Sequence, residues 1–457
     1  MNLAYNDYEP SLFLYDKLSR LAEKNNKIEQ ELYQKYDVKR GLRNSNGTGV
    51  LVGLTGIGDV HGYRMENGVK VPVEGKLFYR GIEIGDLIAG FQKDKRFGFE
   101  EICYLLLFGE LPSKDDLELF NNLLGEYRKL PDGFTEDMVL KVPSKDIMNK
   151  LARSVLAAYC YDSNPDDISV ENVLRQSMEL IARFPTMVAY GYQAKSRYYD
   201  KKSLYIHSPQ SQLSTAENIL HMIRPTSEFT RLEAELLDLA LVLHAEHGGG
   251  NNSTFTIRVI TSTDTDTYSA VAAAIGSLKG PKHGGANIKV LKMVEDIKAN
   301  VRDWEDEKAL KAYLRQIISK KAHDRSGLIY GMGHAVYTIS DPRAVQLKEK
   351  AAELAAEKGL EKEFNLYASI EKLTPEVMKE AGKSDGIIPA NVDLYSGFVY
   401  KALNIPTELY TPLFAVARIP GWCAHRIEEI ISGGRIIRPA YKNVFNPQPY
   451  VPLNERG

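Results

Sequence analysis

Apolar residues recur at helical spacing along most of the chain. The clearest case is a set of leucines at intervals of three and four residues: Leu232, Leu236, Leu239 and Leu243. Such spacing places them on one face of a helix. The pattern predicts an amphipathic helix that ends near His247, because glycines 248–250 follow and stop it.

Similar patterns predict further helices. A segment rich in Ala and Ser, residues 266–277, is predicted to be a helix packed closely on all sides, with Asp264 or Asp266 as its cap. Another helix starts near Ala286, after Gly284-Gly285. The remaining helical patterns cover residues 307–320, 342–358 and 419–431.

Strand patterns are few and lie between residues 50 and 79. Residues 65–69 contain an Asn-Gly pair between extended runs, which predicts a hairpin turn. Residues 1–45 are polar and Tyr-rich with helical spacing, which predicts an N-terminal helical arm. The fold class predicted is mainly α, with a small β-hairpin region near the N-terminus.

Composition narrows the class of protein. A chain of 457 residues is long enough for two or more domains, and 44% hydrophobic with 26% charged residues is typical of globular proteins. A net charge of -2 gives no indication of a nucleic-acid or membrane partner, and runs such as 271–275 are too short to span a bilayer. The first ten residues are neither basic nor apolar, and Cys103, Cys160 and Cys423 are widely spaced. We expect a cytoplasmic protein.

Four of the nine histidines lie next to glycine-rich stretches: His244, His247, His283 and His334. Glycine lets the backbone approach a ligand closely, and a following helix N-terminus offers free N–H groups to an anion. A hydrogen-bonded residue at a helix end is the alternative for each histidine taken singly. Three separate histidine-glycine junctions together favour a site.

A zinc site is an open alternative for His244 and His247, which are three residues apart and would share a helical face. The sequence lacks a His-Glu-x-x-His pattern and offers no third ligand. No metal is therefore predicted.

Charged residues in mild or apolar surroundings complete the set of candidates. Asp393 lies between a Pro-containing loop and a helical pattern, where a helix cap is the alternative to a reacting carboxylate. Arg343, Arg418 and Arg438 need partners, which are either structural carboxylates or the carboxylates of a substrate.

The order and content of these motifs resemble the citrate synthase family over roughly residues 48–440. The segments that carry the resemblance are 77–84, 244–247, 268–287, 331–337 with 341–344, 391–397 and 418–438. The resemblance implies a mainly α-helical homodimer with two domains. The large domain would comprise residues 1–285 and 399–457, and the small domain, residues 286–398, would close over the substrates.

The resemblance also implies the reaction and the roles of the residues. An acyltransferase of this family condenses acetyl-coenzyme A with oxaloacetate and water, without a metal or redox cofactor. Asp393 would be the base, His283 the donor to the thioester oxygen and His334 the donor to the oxaloacetate carbonyl. The oxaloacetate and citrate pocket would comprise His247, Asn251, Arg343, Arg418 and Arg438, the last from the partner chain. The coenzyme A contacts would be Leu328, Ile329, Gly331, Gly333 and Asn391.

Three alternatives stay open at this point. A 2-methylcitrate synthase uses propionyl-coenzyme A with the same reacting residues, and one methylene changes discrimination by only about 1–3 kcal/mol. A non-catalytic protein on the same fold would be expected to lack Asp393, His283 or His334, all of which are present. The third alternative is the zinc-binding helical protein.

Overall fold

A computed structural model describes residues 9–67 and 69–456 of the chain. The chain separates into two compact units, one up to Leu54 and one from Thr55 onward. The first unit contains helices α1 (Glu9–Asn26) and α2 (Gln30–Lys35) and a 3-10 turn, Arg40–Leu42. The helical arm predicted for residues 1–45 is confirmed from residue 9 to residue 35, and residues 1–8 lie outside the described part.

A three-stranded antiparallel sheet begins the second unit. It consists of β1 (Gly58–Glu66), β2 (Val69–Tyr79) and the short β3 (Ile82–Glu83), in that order. Glu66 pairs with Val69, and Asn67 between them has a φ of 51°, as tight hairpin turns require. The predicted hairpin is confirmed, although Gly68 itself lies outside the described residues.

Helices make up most of the second unit, which confirms the mainly α fold class. They are α3 (Ile84–Lys93), α4 (Phe99–Phe108), α5 (Lys114–Tyr127), α6 (Ile147–Ala158), α7 (Val170–Tyr198), α8 (Thr215–Ile223), α9 (Arg231–His244), α10 (Asn252–Thr261), α11 (Thr267–Lys279), α12 (Ala286–Asn300), α13 (Glu307–Ile318), α14 (Pro342–Lys358), α15 (Glu361–Glu380), α16 (Val392–Ala402) and α17 (Tyr410–Ile431). Among the described residues, no helix is long and apolar enough to cross a membrane.

Helix boundaries follow local signals closely where a cap is present. Asp266 caps α11 by accepting a hydrogen bond from the Ser269 N–H at 2.8 Å, and α14 has the predicted bounds. The prediction for α17 was wrong by nine residues, since the helix begins at Tyr410 and contains Pro412 and Pro420. Proline is unfavourable inside a helix, but burial of α17 against its neighbours outweighs that preference.

The core lies where α17 packs against α7, α9, α10 and α4. Helix α9 is buried on nearly all sides, so its leucine stripe is only part of its buried surface. Helix α11 packs between α6 and α10, as its small residues predicted. The predicted domain division at residues 286 and 398 falls inside the second unit and remains a prediction.

Glu233 joins three elements at the start of α9. Its carboxylate accepts hydrogen bonds from Arg224 Nη1 at 2.7 Å, Lys358 Nζ at 2.7 Å and the Thr230 N–H at 2.9 Å. Burial alone would raise the pKa of this carboxyl, but the hydrogen bonds from Arg224 and Lys358 outweigh it and lower the pKa to about 2. Glu233 therefore stabilises the junction of α8, α9 and α14 as a carboxylate.

Replacing Glu233 by Gln should lower the free energy of unfolding by about 1–3 kcal/mol at pH 7, because two cations lose their partner. Since its folded pKa is below the unfolded value of about 4.3, this stabilisation is complete above that value and is lost as the pH falls toward about 2. Denaturant unfolding at pH 7 and pH 4 should show the gap narrowing. Glu235→Gln, on the same helix but in an exposed ion pair with Arg231, is the control. An equal loss in both variants would contradict the prediction.

Candidate active site

A short backbone pairing brings His334 next to the start of α16. The Gly333 N–H donates to Pro389 O at 2.7 Å, and the Asn391 N–H donates to Gly331 O at 2.9 Å. Gly331 and Gly333 have φ values of 83° and 84°, in the left-handed region that favours glycine. The glycines around His334 are therefore required by the turn itself.

The orientation of His334 determines which ring nitrogen carries the proton. Its Nδ1 accepts hydrogen bonds from the backbone N–H groups of Val336 at 3.0 Å and Tyr337 at 3.1 Å. Because a backbone N–H can only donate, the proton of the neutral ring is on Nε2. Burial, followed by the nearby charge of Arg343, lowers the pKa of His334 to about 4. At neutral pH the ring is a neutral hydrogen-bond donor.

The β-hairpin supports the segment that follows His334. A Cβ atom on Gly62 would lie 2.4 Å from Val336 O, and one on Gly75 would lie 2.0 Å from Ser340 O. Thr338 Oγ1 donates to Gly62 O, and the Gly75 N–H donates to Ser340 Oγ at 3.2 Å. Only glycine lets the two backbones come this close.

His247 and Tyr337 lie beside His334. The ring centroids of His247 and His334 are 5.3 Å apart, and that of Tyr337 is 4.6 Å from His334. His247 Nε2 and the Tyr337 hydroxyl are buried and have no hydrogen-bond partner in the described part of the chain. Burial, then Arg343, lowers the pKa of His247 well below its ordinary value. Unpartnered buried polar atoms indicate that a ligand or water binds here.

Arg418 presents the strongest such indication. Its side chain on α17 is fully buried, its Nε donates to His244 O at 2.6 Å, and its Nη1 and Nη2 have no partner among the described residues. Burial lowers its pKa to about 10, so the guanidinium stays charged at neutral pH. A buried guanidinium with two free terminal nitrogens matches the fork of a carboxylate.

Arg343 shows one of the two interactions considered for it. Its Nε and Nη2 donate to the two carboxylate oxygens of Asp341 at 3.0 and 2.8 Å, so the structural ion pair is present. Asp341 also caps α14 and accepts the Val392 N–H at 3.3 Å. The pair therefore connects α14 to α16 and places Arg343 5.6 Å from the centroid of the Tyr337 ring.

His283 lies in the turn between α11 and α12. Its Nε2 is 3.1 Å from both Asn251 Oδ1 and Ser253 Oγ, and Trp422 Nε1 donates to the same Ser253 oxygen at 3.1 Å. Burial, then the charge of Arg418, lowers the pKa of His283 to about 4. His283 is thus a second neutral imidazole, anchored through Ser253 and Asn251.

Asp393 is the second residue of α16, and the helix-cap alternative for it was wrong. Asn391 is the cap, since its Oδ1 accepts the Asp393 N–H at 3.0 Å, and its Nδ2 donates to Gly333 O at 2.9 Å. No hydrogen bond to the Asp393 carboxylate is present within residues 9–67 and 69–456. Burial raises the pKa of this carboxyl to about 6, although Arg343 partly opposes the shift. Its environment is that of a base rather than a salt-bridged acid.

Some predicted residues do not join this group. Arg438 is exposed in the irregular segment after α17 and contacts none of the other candidates within the single described chain. Leu328 is exposed, whereas Ile329 is buried. His244 is hydrogen-bonded to Ala240 O at 2.7 Å.

The shared helical face proposed for a zinc pair does not exist, because α9 ends at His244 and His247 lies beyond it. In the part of the chain that the structure describes, no group of three or more potential metal ligands occurs.

Several neighbours of the site were not found from the sequence: Glu246, Ser253, Tyr337, Asp341 and Trp422. Ser253 and Glu246 lie within two residues of recognised candidates, and Asp341 has the pattern of a helix cap before Pro342. Tyr337 and Trp422 carry no local signal, because their place depends on contacts far along the chain.

Known proteins resemble this chain over most of its length. The family model described as citrate synthase, C-terminal domain, matches residues 46–440. The citrate synthase of Synechocystis sp. is 34% identical over 386 residues, covering 84% of this chain and 89% of that protein. The 2-methylcitrate synthase 1 of Corynebacterium glutamicum is 33% identical over 395 residues, covering 84% and 94%.

A solved structure has the same fold. It is the ternary complex of carboxymethyl coenzyme A and oxaloacetate with the citrate synthase of Thermoplasma acidophilum, at a TM-score of 0.75 and 27% identity, covering 92% of this chain and 99% of that one. Since the family model spans most of the chain and the relatives align over most of their own length, this protein belongs to the citrate synthase family.

Proposed function

We propose that the protein condenses the acetyl group of acetyl-coenzyme A with oxaloacetate and water, giving citrate and coenzyme A. The observation that carries the proposal is the cluster of buried, unpartnered polar atoms around His334, above all Nη1 and Nη2 of Arg418 and Nε2 of His247. A dicarboxylate with a carbonyl group would supply acceptors for these donors. No cofactor beyond the two substrates is proposed.

Oxaloacetate would be held by its carboxylates and activated at its carbonyl. Arg418 offers two free N–H-bearing nitrogens in a fixed fork, and His247 offers Nε2 beside it. His334 would donate its Nε2 proton to the oxaloacetate carbonyl oxygen, which makes the carbon more electrophilic. The two backbone bonds to Nδ1 support this role, since they leave Nε2 as the nitrogen that carries the proton.

Asp393 would remove a proton from the thioester methyl group. A carboxylate with a pKa near 6 is a stronger base than an ordinary one and is still ionised at neutral pH. His283 would donate to the thioester oxygen while the enol forms. Because Asn251 Oδ1 can only accept, the neutral His283 ring carries its proton on Nε2, and the thioester oxygen would take the place of Asn251 as its acceptor.

The new carbon–carbon bond would form between the enol carbon and the activated carbonyl carbon, giving citryl-coenzyme A. Water then cleaves the thioester to citrate and the coenzyme A thiol. Closure of the proposed small domain, residues 286–398, would exclude water until the bond has formed. His334, Arg343 and Asp393 are on that domain and would meet the groups of the large domain on closure.

Backbone groups of residues 328–333 would contact coenzyme A, together with Asn391, whose hydrogen bond to Gly333 O joins the two segments.

A homodimer is proposed, with Arg438 reaching the partner's site. Its exposure in a segment beyond the last α-helix supports this placement. We further propose a cytoplasmic location. Propionyl-coenzyme A is the alternative acyl donor, favoured by the likeness to a 2-methylcitrate synthase.

A thiol-release assay tests the proposed reaction directly. Purified protein should release coenzyme A thiol from acetyl-coenzyme A only when oxaloacetate is present, at a higher kcat/KM than from propionyl-coenzyme A. A higher kcat/KM with propionyl-coenzyme A would assign the protein to the alternative, and release with neither donor would refute the proposed function.

Replacing Asp393 by Asn should lower kcat by about 10²–10⁴-fold, because the variant keeps the size of the side chain but loses the base. KM values should change little. Asp303→Asn, at an exposed position before α13, is the matched control. Activity of Asp393→Asn within tenfold of the parent chain would remove Asp393 from this role.

The pH profile provides a second test of the base. The Asp393 carboxyl must be ionised to accept a proton, so kcat/KM should rise with pH through a limb centred near the carboxyl pKa of about 6 and level off above it. The pKa values of His283 and His334 are lowered to about 4, so both rings stay neutral through this limb. A limb centred below pH 5 would contradict the assignment.

Complementation tests the shared site. Asp393→Asn and Arg438→Ala homodimers should each be nearly inactive. Co-expressed at equal levels, they should recover about a quarter of the parent activity, because half the dimers are mixed and half the sites in these are whole. Arg435→Ala, at an exposed position in the same segment, is the control. If Arg438 acts within its own chain, every site carries one defect and no activity returns.

A further inference from the structure

A chain of charged and polar groups, from buried to half-buried, begins at Glu246, the neighbour of His247 in the sequence. Glu246 is fully buried, its Oε1 is 3.0 Å from His425 Nε2, and it accepts the Gly248 N–H at 2.5 Å. Its other oxygen, Oε2, is buried and has no hydrogen-bond partner among the described residues. Hydrogen bonds among these residues thus reach only one of the two Glu246 oxygens.

His425 has a defined orientation within this chain. Arg258 approaches its Nδ1 with Nε at 3.0 Å and Nη2 at 2.7 Å. A guanidinium can only donate, so Nδ1 is an acceptor and the ring proton is on Nε2, from which it is donated to Glu246. Arg258 in turn pairs with Glu428 and, at 2.9 Å, with Glu429.

Two glycines leave the space that the Glu246 side chain fills. A Cβ atom on Gly58 would lie 2.7 Å from Glu246 Cγ, and one on Gly421 would lie 2.6 Å from Glu246 Oε2. The carboxylate is therefore enclosed by backbone on two sides and by His425 on a third.

The negative charge of Glu246 acts on the buried guanidinium of Arg418. Burial lowers the pKa of Arg418, and Glu246 is the group that most opposes this shift, so its negative charge reaches the guanidinium. Even so, Arg418 forms no ion pair within the described residues, and its terminal nitrogens stay unpartnered. A carboxylate that paired directly with Arg418 would compete with the carboxylate of a substrate.

We infer that Glu246 is a counter-ion that His425 holds away from Arg418. The negative charge stabilises the buried guanidinium, while the hydrogen bond from His425 keeps both terminal nitrogens open for the oxaloacetate carboxylate. Glu246 and His425 are positioning residues and touch no reacting atom. The inference deepens the proposed function and rests on it.

The test is a set of His425 variants assayed for the KM of oxaloacetate. His425→Leu removes the donor and frees Glu246 to pair with Arg418, so KM should rise about tenfold or more while kcat at saturation is largely kept. The double variant His425→Leu/Glu246→Gln removes the competing carboxylate and should recover most of the lost affinity. His221→Gln, a histidine on α8 away from the site, is the control.

Recovery in the double variant separates this inference from a simple packing role, in which the second substitution adds to the damage. An unchanged KM in His425→Leu, or a double variant no better than the single one, overturns the inference. If His425→Leu does not fold, His425→Gln and His425→Asn replace it. The Gln side chain is long enough to donate to Glu246, so His425→Gln should keep a low KM. The Asn side chain is too short, so His425→Asn should have a raised KM. Equal KM values would overturn the inference.

The parent chain is assayed first, so that two failures are distinguished. Parent activity that requires oxaloacetate, with variant KM values unchanged, refutes only the counter-ion role of Glu246. A parent chain without such activity refutes the proposed function itself. Direct calorimetry of oxaloacetate binding to each folded variant should follow the same order as KM.

Discussion

One face of α17 holds the irregular segments of the site in place. Arg418, Trp422 and His425 lie at helical spacing, and each bonds a different segment: Arg418 bonds His244 O, Trp422 bonds Ser253 and His425 bonds Glu246. The contact is close because Gly421 faces Ala245, where a Cβ atom would lie 2.4 Å from the carbonyl oxygen. If this helix shifted, both His247 and the anchor of His283 would shift with it.

The buried polar groups of the site oppose the folding of the empty protein. Charged and polar atoms without partners cost free energy when they are removed from water. The fold compensates by placing opposite charges near them, as Glu246 and Asp341 do for Arg418 and Arg343. A substrate that supplies the missing partners should therefore stabilise the folded state as well as bind it.

Local signals accounted for much of the fold and directed attention to the candidate site residues. Asp266 and Pro342 set helix ends through short-range chemistry, and the glycines beside His334 mark a turn that requires their positive φ. The start of α17 was missed because burial outweighs the cost of its prolines, which no local pattern reveals.

Contacts between residues far apart in the sequence could not be predicted from local patterns either. Ser253 anchors His283, and Glu246 meets His425, only because separate helices cross at these points. Spacing along the chain says nothing of such crossings. The family resemblance supplied the roles of single residues, but the proton positions on His334 and His425 follow from hydrogen bonds that only coordinates reveal.

The position of α17 at the end of the helical fold has a consequence for biosynthesis. Its bonds to His244, Ser253 and Glu246 join residues separated by 174, 169 and 179 positions. While the ribosome is still translating the middle of the protein, α9 can pack against α4 and α8, but the part of its apolar surface that faces α17 stays uncovered. The contacts that hold His244, Ser253 and Glu246 can therefore form only after α17 has been synthesised.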